Sequence, residues 1–197
     1  MVLNIMKRME SHMYRIKQGA IAVCVALVAA GCSSSGSQGF WDAASIDALE
    51  ADQPTSAADL VDRAEVVVRG TVAGVEEGPI DDPAFAGDGF PIVALEITVA
   101  EVISGSFTGD TIKVIMPREA TVSVESMMSM MPSEEIVVFV VDSGVEDYYA
   151  TFSDLSVVTT INDKVETVLD PAATEVVTGD ADTWDEVVDI VEDAANN

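Results

Sequence analysis

The chain of 197 residues contains 35 acidic and nine basic residues, which gives a formal net charge of −26 and an isoelectric point near 4.1. Proteins bind nucleic acid and anionic headgroups through Lys and Arg, so this composition excludes a nucleic-acid partner and argues against electrostatic attraction to a membrane. Hydrophobic residues make up 49% of the chain, enough to bury the core of one ordinary domain.

The N-terminal region has the order of features that is typical of a secretory signal: basic residues, an apolar stretch over 19–31, and then a Ser/Gly-rich segment. Val28-Ala29-Ala30-Gly31-Cys32 resembles the lipobox of bacterial lipoproteins, with Ala29 where Leu or Val is commoner. The resemblance implies that residues 1–31 are removed and that Cys32 becomes an N-terminus carrying diacylglycerol or acyl lipid such as palmitate. An ordinary cleaved signal and a retained anchor are the alternatives, and Met6 and Met13 are further candidate start residues.

Removal of this signal would leave a mature chain with no His and with Cys32 as its one thiol, since His12 and Cys24 precede the cleavage point. Such a chain cannot form an internal disulfide, a Ser-His-Asp or Cys-His site, or a His- or Cys-based metal site. The signal contains four of the nine basic residues and one of the 35 acidic residues, so five basic and 34 acidic residues remain, a formal charge of −29. The predicted location is the cell envelope, on the outer side of the cytoplasmic membrane or on an outer membrane.

The rest of the chain predicts a Ser/Gly spacer after Cys32, over residues 32–39, and a single β-rich domain over 40–197. Within the domain, helices are predicted over 42–52 and 57–64, and the C-terminal helix over about 183–195 opens with Thr183 and Glu186 in a capping-box pattern. Strands are predicted over residues 65–75, 92–103, 111–116, 121–124, 135–141, 148–152, 157–161 and 164–169.

Most of these strands are neighbours in sequence, and this predicts a mainly β fold: a small antiparallel OB-like barrel over about 57–170, with a short N-terminal helix and a C-terminal helix. Gly70 or Gly74 is expected to form a bulge in the first strand, and Asn162-Asp163 a hairpin turn. The predicted core residues alternate along the strands or lie in fully apolar runs. They are Val67, Val93, Leu95, Ile97, Val114, Val138 and Phe139.

The segments 64–72, 99–105, 109–114, 136–140 and 148–150 together resemble the small barrel of tissue inhibitors of metalloproteinases and netrin-type modules. The resemblance covers roughly residues 57–170 and implies a barrel. In those inhibitors a free N-terminal Cys chelates the zinc of the target enzyme. Here Cys32 would be acylated and the family's disulfides are absent, so the resemblance does not imply inhibition.

A methionine cluster is the first candidate site: Met127, Met128, Met130 and Met131 lie within five residues. Thioethers are soft ligands that suit Cu(I), although the segment lacks the longer repeats of dedicated copper carriers. Methionine also fills irregular apolar gaps and forms adaptable contact surfaces. Copper binding, a partner-binding patch and simple packing are the three interpretations.

A long loop after the first strand is the second candidate site, because OB-like barrels bind through such loops. Its carboxylates suit Ca²⁺, but their spacing does not match an EF-hand. The residues of this predicted recognition loop are Asp81, Asp82, Phe85, Asp88 and Phe90.

These observations favour a membrane-anchored lipoprotein that acts as a non-enzymatic binding or interaction module for an unidentified protein or small molecule. No cofactor is expected apart from the lipid on Cys32. The alternative is a metal-handling protein that uses the methionine cluster or the acidic loops, and a carboxylate-dependent hydrolase is the third hypothesis.

Overall fold

The computed structural model describes residues 36–44, 53–79 and 91–196, and its fold is mainly β, as predicted. The strands are β1 Val66–Glu77, β2 Ile92–Gly105, β3 Thr111–Pro117, β4 Glu135–Asp142, β5 Tyr149–Ala150, β6 Val157–Ile161 and β7 Lys164–Thr167. The α-helices are α1 Gly36–Ala44, α2 Ala57–Arg63, α3 Val124–Met128, α4 Thr174–Thr178 and α5 Trp184–Ala195, and Pro171–Ala173 forms a 3₁₀ turn before α4.

The seven strands form one sheet in the order β1-β2-β3-β5-β4-β6-β7, and β1 also pairs with β4. Every pairing is antiparallel except that between β3 and β5, where Val114 lies opposite Tyr149. Strand β4 is central, as its run of apolar residues predicts, because it pairs with β1, β5 and β6. The first six residues of β1 pair with β2 on one side and with β4 on the other.

Strand β1 is irregular at the glycines that predict a bulge. Its register with β2 shifts between Arg69 and Gly70 and again between Val72 and Gly74. A Cβ atom at Gly70 would overlap the carbonyl oxygen of Thr98 on β2. Glycine therefore lets the two strands approach where β1 bends.

Two apolar clusters cover the two faces of the sheet. One contains Leu95 and Ile97, and the aromatic side chains of Phe40 and Trp41 from α1 are fully buried in it. The other contains Phe139, against which α2 and α5 pack from the opposite face. All seven predicted core residues are buried, and Val67 and Phe139 belong to the second cluster while the other five belong to the first.

The predicted local signals at turns and helix ends are confirmed. Asn162 and Asp163 have φ values of 53° and 63° in the β6–β7 turn, a conformation that Asn and Asp tolerate better than most residues. The capping box at the start of α5 is present, since the Thr183 hydroxyl accepts from the backbone N–H of Glu186 and the Glu186 carboxylate accepts from that of Thr183.

Two predicted segments differ from the structure. The predicted strand over 121–124 is wrong: a turn there leads into α3, because the Ser123 side chain caps the helix and Val124 and Met127 bury one face of it. At the other end of the domain, α1 begins at Gly36, inside the segment predicted as spacer, and Ser37 is buried. The predicted helix over 42–52 overlaps α1 at 42–44, and its remainder lies outside the described residues.

Candidate functional site

An open cavity of ≈ 870 Å³ lies where the β2–β3 connection faces the β4–β5 loop. Its floor is the first half of β3, and Glu65, just before β1, completes the wall. Half-buried aromatic side chains and exposed carboxylates share the lining, which includes Phe107, Tyr148 and Tyr149. Ligand sites generally combine apolar walls of this kind with a few polar groups that orient the ligand.

The β4–β5 loop has an ordered shape, held by its own hydrogen bonds. The Ser143 hydroxyl accepts from the N–H of Val145 at 3.0 Å and lies 2.8 Å from the carbonyl oxygen of Tyr148, to which it donates. The Asp142 carboxylate accepts from the N–H of Gly144 at 2.8 Å. Gly144 and Asp147 have φ values of 77° and 69°, so the loop turns sharply at both residues.

Glu65 fixes this loop to the beginning of β1, because its Oε2 accepts from the backbone N–H of Asp142 at 3.0 Å. On the opposite wall, the rings of Phe107 and Tyr149 meet edge to face with centroids 6.1 Å apart. Phe107 folds over Gly109, where a Cβ atom would lie 2.8 Å from the ring. The glycine therefore permits the ring position that forms this wall.

Lys113 is the basic residue of the cavity lining, and its ammonium group already forms ion pairs with two carboxylates. Its Nζ lies 2.6 Å from Oε1 of Glu76 and 3.5 Å from Oε1 of Glu96. The hydrogen bond that Lys113 donates to Glu76 is the main reason why the pKa of Lys113 is raised above its ordinary value. The same ammonium lies 5.6 Å from the centre of the Tyr148 ring, and the Tyr148 hydroxyl donates to Glu76 at 3.3 Å.

Four exposed carboxylates line the cavity, those of Glu65, Asp142, Glu146 and Asp147. Since Lys113 is paired with Glu76 and Glu96 outside the lining, the cavity presents excess negative charge to a ligand. Such a site repels phosphates and carboxylates and attracts amines and guanidinium groups. Aromatic faces beside it add a second attraction for cations.

The methionine cluster is divided between the core and the surface. Met127 is fully buried beside Met116 in the cluster that contains α1, and Met130 packs against that cluster. Met128 and Met131 point outward, with 51% and 36% of their surfaces exposed. Packing thus accounts for Met127 and Met130, while Met128 and Met131 keep more than a third of their surfaces exposed.

The other predicted site residues lie outside the described residues. They are Cys32 and the recognition-loop residues Asp81, Asp82, Phe85, Asp88 and Phe90. Within the described ranges, no group of three or more His, Cys, Asp or Glu side chains is placed to hold a metal ion. In the same ranges, no helix has the length and apolar character needed to cross a bilayer.

Comparison of the chain with protein-family models, with curated proteins and with solved structures gives no significant match.

Sequence reasoning missed the cavity because its parts come from separate segments. The connection 105–110 is predicted as a tight turn, residues 142–147 lie between two predicted strands, and Tyr148 and Tyr149 belong to the second of these strands. An available signal was the aromatic residue in the Gly-flanked turn Gly105-Ser106-Phe107-Thr108-Gly109. A large apolar side chain in so short a connection has few structural uses unless it packs over a neighbouring element.

Proposed function

We propose that this protein is a lipid-anchored binding module of the bacterial cell envelope, with an OB-like barrel that takes a cationic ligand in the cavity beside the β4–β5 loop. The cavity is the observation that carries the proposal. It combines three aromatic side chains, four carboxylates and a lysine whose charge is already paired. The ligand class that fits is an amine or guanidinium group, as in a basic peptide segment.

The strand pairings support the barrel. Strand β1 pairs with β2, β2 with β3, β3 with β5, β5 with β4, and β4 with β1 again. A circuit of five strands is the arrangement of an OB-fold, whose ligands contact the strand 2–3 face and the loops after strands 1 and 4. The proposed cavity uses β3, the β2–β3 connection and the loop after β4.

The sequence around Cys32 supports the anchor. The lipobox-like Val28–Cys32 follows basic and apolar segments, and the first described element, α1, begins at Gly36, four residues after Cys32. The high acidity of the mature chain makes electrostatic attraction to the membrane unfavourable. Attachment to the membrane would therefore depend on a covalent lipid.

The binding proposal can be tested with the mature chain carrying Cys32→Ser, titrated by calorimetry with a short Lys/Arg peptide and with its uncharged citrulline/acetyl-lysine counterpart. The charged peptide should bind, and nuclear magnetic resonance shifts should concentrate at Phe107, Tyr148 and Tyr149. The double variant Glu146→Gln/Asp147→Asn should bind about tenfold more weakly, a loss of about 1.4 kcal/mol.

A matched control removes the same charge elsewhere: Asp185→Asn/Asp189→Asn changes two exposed carboxylates on α5, outside the cavity lining. This variant should keep the parent affinity. Equal losses in both double variants would mean that overall charge, not the cavity, attracts the peptide. Equal binding of the uncharged peptide would contradict recognition of a cation.

A further inference from the structure

The described domain begins close to the proposed lipid attachment point. Helix α1 starts at Gly36, four residues after Cys32. Four residues span at most about 14 Å even when fully extended. An anchor at Cys32 would therefore hold the first turn of α1 near the membrane surface.

The first turn of α1 lies against the methionine segment. The Ser37 hydroxyl donates to Oε2 of Glu134 at 2.8 Å. A Cβ atom at Gly39 would lie 3.3 Å from Sδ of Met130. The end of the domain that the tether brings to the membrane is thus the end that carries Met128 and Met131.

This end exposes apolar side chains within an uncharged segment that is flanked by Glu125 and Glu134. Among the described residues the exposed large apolar side chains are Val102, Met128 and Met131, and the last two lie within two positions of Met130, which faces α1 at Gly39. All eight residues of Ser126–Ser133 are uncharged, in a chain with 35 acidic residues. An uncharged segment can enter the headgroup region without the desolvation and repulsion that carboxylates would experience there.

We propose that Met128 and Met131 insert into the interfacial region of the bilayer and orient the domain on the membrane. This inference rests on the proposed lipid attachment at Cys32. The bilayer then covers the exposed surfaces of Met128 and Met131. The two thioether side chains form a shallow apolar contact with the membrane, in addition to the covalent anchor at Cys32.

The same orientation places the cavity away from the lipid. Met131 precedes the first residue of β4, Glu135, by four positions, whereas Asp142 and the cavity lie at the other end of that strand. Eight strand residues extend roughly 25 Å. A domain resting on its methionine end therefore presents the cavity to the aqueous phase, where a soluble ligand approaches it.

The test uses the full lipidated protein, reconstituted in phosphatidylcholine vesicles that contain a lipid with a nitroxide high on its acyl chain. A single cysteine is introduced by Met128→Cys or Met131→Cys and labelled with an environment-sensitive fluorophore. The mature chain has no other thiol, because Cys32 carries the lipid. Val102→Cys is the matched control, since Val102 and Met131 are both 36% exposed.

The labels at 128 and 131 should shift their emission to the blue in vesicles, and the nitroxide should quench them at least about twofold more than the label at 102. Both positions are exposed, so the fold should persist, and the emission of buried Trp41 checks this. Equal quenching at all three positions in protein whose lipidation mass spectrometry has verified would overturn the docking but not the anchor.

Two other results also decide the proposal. An unmodified Cys32 in the mass spectrum would overturn the anchor and the docking together. A blue-shifted label at 131 that the lipid nitroxide does not quench would mean that a second copy of the chain or another protein covers the methionines, and would likewise overturn lipid docking.

Discussion

The Ser37 hydroxyl donates a hydrogen bond of 2.8 Å to Oε2 of Glu134, a residue 97 positions further along the chain. It joins the first turn of α1 to the residue that precedes β4. Partial burial opposes ionisation of Glu134, but hydrogen bonds from Ser37 and Ser133 outweigh it and hold the pKa of Glu134 below its ordinary value of 4.5. The contact therefore stabilises the attachment of α1 most strongly while Glu134 is ionised.

The pKa of Glu134 predicts a loss of stability in acid. A carboxyl whose pKa is lowered by folding contributes its full stabilisation above pH 4.5, and this contribution disappears as the pH falls through the lowered pKa. In a Trp184→Phe background, the urea midpoint followed by Trp41 emission should therefore fall over this range. Glu134→Gln should lower the free energy of unfolding at pH 7 by about 0.5–1 kcal/mol and reduce its dependence on acid pH.

Glu175→Gln on α4 is the control for this experiment, because it removes an exposed carboxylate from another part of the domain. It should leave the fall of the urea midpoint in acid unchanged. If Glu134→Gln leaves that fall unchanged as well, the contact does not contribute to the acid dependence of stability.

Leu95 should be among the most costly positions to truncate. Its side chain is 1% exposed within the cluster that also holds Phe40 and Trp41. Leu95→Ala should reduce the free energy of unfolding by about 2–5 kcal/mol, measured by urea denaturation. Thr98→Ala, at an exposed position of the same strand, should change it by less than about 0.5 kcal/mol. Similar effects at both positions would contradict the described burial.

Gly105 and Gly144 offer a comparison between backbone strain alone and strain combined with a clash. Both have a positive φ, 83° at Gly105 and 77° at Gly144. A Cβ atom at Gly105 would overlap the carbonyl oxygen of Glu65, whereas a Cβ atom at Gly144 would have no other atom within 4 Å. Gly144→Ala should destabilise the fold by about 1–2 kcal/mol, and Gly105→Ala by clearly more. Thermal denaturation of the two variants measures the difference, and an equal loss would show that the β2 end can move away from β1.

The formal charge of −26 on the chain, or −29 after removal of the proposed signal, predicts that salt stabilises the fold. Mutual repulsion of carboxylates destabilises a compact state, and mobile ions screen it. The melting temperature should rise from low to near-molar NaCl and rise equally in KCl. A larger rise with Ca²⁺ at equal ionic strength would indicate a specific acidic site, and a flat or falling series would contradict the prediction.

Processing at Cys32 is the prediction on which the proposed location depends. Cys32→Ser should abolish lipid attachment, so that the protein is released or remains unprocessed. Detergent partitioning and intact-mass measurement of parent and variant distinguish these states. An unmodified mature N-terminus at another position in the parent protein would contradict the anchor.

Local patterns in the sequence were sufficient for most of the individual elements. The alternation through Val93, Leu95 and Ile97 identifies β2 and its buried face, and the Thr183/Glu186 pair identifies the start of α5. These features depend on residues a few positions apart, whose periodicity and capping act locally. The lipid anchor, the recognition loop and the barrel remain predictions.

Features that depend on distant contacts were not predictable in the same way. The residues Gly36–Gly39 have a spacer-like composition. Helix α1 forms there because Phe40 and Trp41 pack into a core whose other residues come from strands much later in the sequence. A helix this short is marginal in isolation, and tertiary packing stabilises it. The cavity likewise brings Phe107 and the β4–β5 loop together through pairings of distant segments, among them the parallel pairing of β3 with β5.

The position of α1 at the beginning of the ordered domain also affects how the chain matures. The ribosome makes Phe40 and Trp41 before any of the strands that surround them, and their cluster is complete only once Val168 has been synthesised. Until then the cluster that buries both rings is incomplete, and exposed apolar surface in an incomplete chain promotes aggregation. Nascent chains that stop before β6 should therefore be the species most dependent on a chaperone.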